Sequence, residues 1–248
     1  LTGELKQVAP ARSVNAQGMT HWCGMKNFNE DQLLLVSSSN FSAAGHAFKW
    51  DWRNDVYTRI GGDSQLFGCH DIQWSSVMGE DAFWTPVAEY DCSYNNNVTL
   101  WDAATGAARR TIGTGYEACK PDTNHAQLLE NDTHALLSFR AISAFAMYRV
   151  GRFAGDDSEQ MWIVGGPNGS WPIRDFDRSV KYPPGTTVWK GQHNAEYMGD
   201  GDSGHEVWMF DDNGLGNESR LLIVTVDDTV GEAYLAWDYR RGQPATPA

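Results

Sequence analysis

The sequence predicts an all-β fold, a β-propeller built from four-stranded antiparallel blades. Three observations predict it. Four histidine-led segments recur along the chain, at His21, His70, His125 and His193. Each is followed by β-rich apolar runs separated by turn signals, and no long helical period interrupts them. The histidines lie 49, 55 and 68 residues apart, a period that holds four short strands and the turns between them.

Each unit opens on a first strand led by its histidine: His21-Trp-Cys-Gly, His70-Asp-Ile-Gln, His125-Ala-Gln-Leu and His193-Asn-Ala-Glu. Polar turns follow at Asn29-Glu-Asp, Gly79-Glu-Asp, Glu130-Asn-Asp and Gly199-Asp-Gly, residue types that supply left-handed backbone and local hydrogen bonds. Second strands are expected at Leu33–Ser37, Ala82–Val87, Ala135–Phe139 and Glu206–Phe210. Third strands are expected at His46–Trp52, Val98–Asp102, Ala144–Val150 and Arg220–Val226. Val56–Ile60, Ala108–Ile112, Gln160–Val164 and Ala233–Trp237 close the units. Alternating apolar and polar residues mark half-buried strands in the first, third and fourth positions. The repeat units therefore cover about 21–60, 70–113, 125–166 and 193–239. Residues 1–14 hold a further outer strand at Glu4–Pro10, which either closes the last blade or ends a blade upstream. The second is the expectation, because four blades make a tight ring. The alternative to a propeller is an open sandwich.

Composition limits the function. Hydrophobic residues make up 41% of 248 and charged residues 21%, an ordinary folded composition. Eleven Trp and 25 Gly suit short strands and tight turns. A net charge of −13 repels a phosphate backbone, which argues against nucleic acid as a partner. No polybasic run or stretch of roughly 18 apolar residues suggests a membrane partner or span. Leu1 opens on polar sequence without a leader, so the chain reads as a mature or excised segment.

Two features predict a secreted protein. Five Asn-x-Ser/Thr sequons, at Asn40, Asn97, Asn131, Asn168 and Asn217, are candidate glycosylation sites. Four cysteines, Cys23, Cys69, Cys92 and Cys119, are candidate disulfide partners, with three pairings open and free thiols as the alternative. They lack Cys-x-x-Cys spacing, so a zinc ribbon is not expected.

First strands line the channel of a propeller, so their histidines should converge at one mouth. Such a cluster has three uses: a metal site, a nucleophile with acid/base partners, or loop anchoring. His21, beside Trp22 and Cys23, is the member expected to be structural. Trp74, Trp84 and Trp171 are the aromatics placed to stack on a ring, with core packing as their commoner fate.

Several segments, in order over about 170 residues, resemble the PAPS-independent arylsulfotransferases. They are His70-Asp71-Ile72, His125, Leu137-Ser-Phe-Arg140-Ala-Ile-Ser-Ala, Trp162-Ile-Val-Gly-Gly166 and Gly191-Gln-His-Asn-Ala195. Phe210-Asp-Asp-Asn-Gly214, Ser219-Arg220 and Trp237-Asp-Tyr complete the series. The resemblance implies a six-bladed propeller that moves a sulfuryl group from an aryl sulfate to a phenol without metal or other cofactor. It implies His193 as the nucleophile that is transiently sulfated. His70, His125 and Arg140 would hold sulfuryl oxygens and move protons, with Gln127, Asp71 and Asn194 beside the substrate. Sulfuryl transfer spreads charge over equatorial oxygens, so it needs placed cations and donors. The chain departs from the family pattern at Gln127, where the family has Asn, and in the acidic loop Asp200-Gly-Asp-Ser-Gly. The family's upstream blades and extra N-terminal domain have no counterpart here.

Two other readings stand beside the enzyme. One is a non-catalytic extracellular propeller used for binding or assembly, with protein partners or further blades. The other is a His-ligated metal enzyme.

Overall fold

The computed structural model describes residues 21–27, 31–38, 44–62, 67–68, 70–86, 97–116, 122–151, 158–212, 219–240 and 246–247. The outer strand expected in residues 1–14 lies outside them. The described residues are all strand, turn and irregular backbone. None forms a helix long and apolar enough to cross a membrane.

Unit 1 is β1 (His21–Asn27), β2 (Gln32–Ser38), β3 (Ala44–Asp51) and β4 (Val56–Arg59), with a short β5 (Phe67–Gly68) against β3. Unit 2 is β6 (Gln73–Ser75), β7 (Gly79–Pro86), β8 (Val98–Asp102) and β9 (Ala108–Ile112). Unit 3 is β10 (Thr123–Leu129), β11 (His134–Phe139), β12 (Ala144–Arg149) and β13 (Glu159–Gly165). The connection to unit 4 carries β14 (Ile173–Arg174) and β15 (Lys181–Tyr182). Unit 4 is β16 (His193–Gly201), β17 (Gly204–Asp211), β18 (Arg220–Asp227) and β19 (Glu232–Arg240), and β20 (Thr246–Pro247) pairs with β19. Each unit is an antiparallel meander with its strands side by side in chain order. Strand β10 lies against β6 on one side and β16 on the other, so neighbouring first strands meet. The chain is a β-propeller of four-stranded blades.

The blades form because the middle strands of units 2 and 3 are buried on both faces, as in β11 and β12. In β11, Leu136 faces unit 4 and Leu137 faces unit 2, and both are fully buried. One core lies between each pair of blades. Leu34, Val36, Ile72 and Phe83 join units 1 and 2. Trp84, Leu100, Leu137 and Tyr148 join units 2 and 3. Met147, Trp162, Met209 and Val224 join units 3 and 4.

Polar side chains fix the blades in register. Gln73 donates from Nε2 to Leu128 O and accepts at Oε1 from Leu128 N, at 3.2 and 2.9 Å. Gln127 repeats this one blade later on Tyr197, at 3.2 and 2.6 Å. Asp132, buried in the β10–β11 turn, accepts from the Ser75 and Ser76 hydroxyls, the Ser76 amide and the Trp84 indole.

The histidines lie at different distances along the chain from one shared clamp position, although His125 and His193 stand at the same cross-strand position. Leu128 and Tyr197, the residues clamped, directly follow Gln127 and Glu196. Glu196 therefore stands where Gln73 and Gln127 stand. His70 and His193 each lie three residues before that position, and His125 lies two before. His193 opens β16, whereas His125 sits inside β10 and His70 in the bend that precedes β6. The expectation that each histidine opens a first strand holds for His193 and for His21, which opens β1, and not for the other two. A bulge between His193 and Glu196 inserts one residue in β16 and produces the difference from β10.

Candidate functional site

His193 is half-buried at the first residue of β16, opposite Phe210. Arg140 donates from Nε to His193 Nε2 at 3.0 Å. That ring nitrogen must therefore carry a lone pair. Burial holds the His193 imidazole below its usual 6.5, and the charges of Arg140 and His70 add to this. Asp212 and Asp122 act in the opposite sense. The ring is thus a neutral base with its lone pair aimed at a cation.

Arg140 occupies the turn after β11. Its amide donates to Asp122 O at 3.0 Å, and its guanidinium lies 3.6 Å from the Asp122 carboxylate. The turn ends in Ser143, whose φ is 54°. The Gly165-Gly166 pair packs behind it. A Cβ on Gly166 would fall 2.4 Å from Ile142 O, and one on Gly165 2.6 Å from the Trp189 ring. Both glycines also have positive φ. Thr187 and Gly191 donate to Ser143 O and Oγ, at 3.3 and 3.1 Å. The segments of units 3 and 4 flanking Arg140 and His193 thereby form one rigid seat.

His125 is 3% exposed, and its Nδ1 lies 2.7 Å from Asp71 Oδ2. Asp71 also accepts from the amides of Ile72 and Ala126, at 2.8 and 3.3 Å, and stands 3.9 Å from Lys26 Nζ. Burial pushes the Asp71 carboxyl up, but His125, Lys26 and the Ile72 amide together hold it below the usual carboxylate value. His125 Nε2 is buried and has no hydrogen-bond partner among the described residues. His70 Nδ1, Ser138 Oγ, Asn124 Oδ1 and Gln192 Oε1 are likewise buried without one. Asn124 Nδ2 donates to Gln192 O at 3.1 Å, joining the residues that precede His125 and His193. Buried polar atoms are ordinarily paired, and these stand on or beside β6, β10, β11 and β16.

The other expected site residues lie elsewhere in function or in space. Both ends of the Gln127 amide are taken by Tyr197, so Gln127 is a blade clamp and not a substrate ligand. Asp71 is consumed by His125 and amides and does not face a substrate directly. Asn194 sits exposed in a β-bulge with φ 51°. Of the three tryptophans named for ring stacking, Trp84 is buried and Trp74 and Trp171 are half-buried. Trp84 donates to Asp132; Trp74 packs edge-on to Phe83 under Lys49; Trp171 lies against Trp162 at the outer strand. The Arg220 and Asp211 of the family-like C-terminal segments form a buried ion pair at 2.9 Å, with Asp238 at 3.5 Å. Arg220 and Lys190 tie this pair to the Val188–Lys190 backbone. It supports the strand that carries His193. Sequence reading missed Asp122, Asn124 and Gln192, whose only signal was their position beside the histidines.

Asp200 in the acidic hairpin accepts from the Tyr197 hydroxyl and pairs with His205 at 2.6 Å. No group of three His, Cys, Asp or Glu residues able to hold a metal ion stands together among the described residues. Asn131 and Asn168 are exposed in turns and Asn97 is half-buried before β8, while Asn40 and Asn217 lie outside the described residues. Cys23 lies on β1, and Cys69, Cys92 and Cys119 lie outside the described residues. The His21 side chain does as well.

No protein-family model matches the chain, and no curated protein is significantly similar to it. Solved structures resemble its fold. A hypothetical selenium-binding protein from Sulfolobus tokodaii is 12% identical with a TM-score of 0.47, over 93% of this chain and 71% of that one. The WD40 domain of Toxoplasma gondii coronin is 12% identical with a TM-score of 0.44, over 91% and 60%. A functionally unknown protein from Desulfotomaculum acetoxidans is 12% identical with a TM-score of 0.44, over 91% and 58%. The chain spans less than two thirds of the last two. These likenesses concern the fold alone.

Proposed function

We propose that the chain carries a sulfuryl-transfer site in which His193 is the nucleophile and Arg140 the anion-binding cation. The observation that carries this reading is the Arg140–His193 contact. A neutral imidazole whose lone pair already faces a guanidinium is primed to attack an anionic centre. Arg140 keeps 42% of its side chain exposed, which leaves part of its guanidinium open to an incoming anion. Its fork of donors matches a sulfate face. In the first step His193 Nε2 attacks sulfur, the N–S bond forms and the S–O(aryl) bond breaks. The aryl oxygen leaves as the phenolate with the electron pair of that bond. In the second step an acceptor phenol attacks sulfur, the S–N bond breaks and the phenol proton passes to an imidazole. The order of family-like segments around these residues supports the same reading.

The test is turnover of p-nitrophenyl sulfate with excess phenol, comparing wild type with His193→Ala. Nitrophenolate release that needs both phenol and His193 supports the proposal. Equal release by a folded His193→Ala chain overturns it.

One observation favours a second reading, a non-catalytic propeller that works by assembly. Unit 4 turns an apolar sheet face outward, formed by Trp208, Phe210, Leu221, Ile223, Trp237 and Tyr239. Wild-type protein that is folded, inactive on aryl sulfates and self-associating would favour it.

A further inference from the structure

We propose that Asp71 is a positioning residue, which fixes His125 as the Nδ1–H tautomer and leaves its Nε2 as the base for a bound hydroxyl donor. The inference rests on the sulfuryl-transfer reading only for the identity of that donor, a phenol.

The geometry supplies each part. Asp71 Oδ2 lies 2.7 Å from His125 Nδ1, so the proton between them sits on the ring nitrogen and the carboxylate accepts it. The carboxylate cannot turn away, because Ile72 and Ala126 donate to its two oxygens. The opposite ring nitrogen must then carry a lone pair. It is buried and has no partner among the described residues, and neither has the hydroxyl of Ser138, which stands opposite His125 across the β10–β11 ladder. A histidine serving only to tie blade 2 to blade 3 would have both nitrogens satisfied. Here one nitrogen does the tying and the other is kept free.

The strands that carry His125 and His193, β10 and β16, lie side by side. Asn124 and Gln192, the neighbours of His125 and His193, share a hydrogen bond, and Arg140 stands in the turn after β11, the strand that pairs with His125. A phenol that bonds to sulfur while the sulfur–His193 bond breaks must lose a proton, and His125 Nε2 takes it. The resulting imidazolium faces the Asp71 carboxylate, which compensates the new charge. Lys26 on β1 is the cation beside the pair, and Arg140, His70, Asp122 and Asp212 are the titratable groups that act on His193.

The experiment is long-range proton–nitrogen NMR of the 248-residue chain with nitrogen-15 histidine, assigned by His125→Gln. Wild type should show His125 protonated at Nδ1 and bare at Nε2 near neutral pH. In Asp71→Asn the amide can donate to Nδ1, so the proton should move to Nε2. With p-nitrophenyl sulfate and phenol, this variant should still release one equivalent of nitrophenolate in a burst. Steady turnover should fall by about 10²–10⁴-fold, the range for loss of a general base. A wild-type His125 protonated at Nε2, or unchanged turnover in a folded Asp71→Asn, overturns the proposal. The wild-type spectrum decides the tautomer even where no aryl sulfate is turned over, so failure of the dyad and failure of the transfer reading are told apart.

Discussion

Arg140 does two things to His193, and both can be measured. Its guanidinium donates to Nε2, and its charge helps burial keep the imidazole neutral. A base whose folded pKa lies below the unfolded 6.5 is active on the alkaline side of that pKa. The acid limb of kcat/KM should therefore fall below 6.5 in wild type. Removing the charge in Arg140→Met should move that limb upward towards 6.5, while turnover drops by about 10²-fold through the lost anion contact. A limb that stays in place would separate the arginine from the histidine. The same shift links to stability. A depressed folded pKa gives stability that is present above 6.5 and lost as pH falls through the folded value, so thermal scans from pH 7 to 5 should show a steeper loss for wild type than for Arg140→Met.

Individual residues were only partly legible in the sequence. His193, Arg140 and His125 could be picked out because their neighbours resemble a family's segments. The pairing of Asp71 with His125 could not, since 54 positions separate them. Gln127 was misread for the same reason. Its partner is a backbone amide 70 residues away, and no local pattern reveals it.

Strands and turns followed the sequence closely, because alternation and turn chemistry act locally. Val98–Asp102 and Ala108–Ile112 are the same in expectation and in structure. Two first strands, β6 and β10, begin three residues after and two residues before the expected histidine. The clamps between blades make predictions at this scale. Gln127→Leu leaves the Tyr197 amide and carbonyl without partners and should cost about 1–3 kcal/mol, read as a lower melting temperature. Gln127→Glu keeps an acceptor for the amide and loses the donor, so it should fall between the two. Asp132→Ala strands four donors from blade 2 in a buried turn and should cost about 3 kcal/mol or more. Chemical denaturation that leaves either variant unchanged would show that the apolar cores alone set the register.

At the scale of the whole molecule, unit 4 carries an apolar face that no other blade covers among the described residues. Leu136, Met147 and Trp162 form a row across blade 3, as do Ser138, Phe145 and Val164, and blade 4 buries both rows. Blade 4 repeats the rows as Trp208, Ile223 and Trp237, and as Phe210, Leu221 and Tyr239. Phe210, Leu221 and Tyr239 are exposed there. Glu196 stands where Gln73 and Gln127 reach into the next blade, so this face ends in a carboxylate rather than an amide. An apolar lattice of this size in water favours association with a second copy, and the net charge of −13 opposes it. Screening decides between them. Sedimentation velocity should show monomer at low ionic strength and self-association as salt rises, since the Debye length shrinks to about 8 Å near 0.15 M. Placing Ser at both Phe210 and Leu221 should abolish association at every salt concentration. Stability should change little, because neither side chain packs into a core between blades. Association of that variant to the same degree as wild type would mean that another surface is responsible.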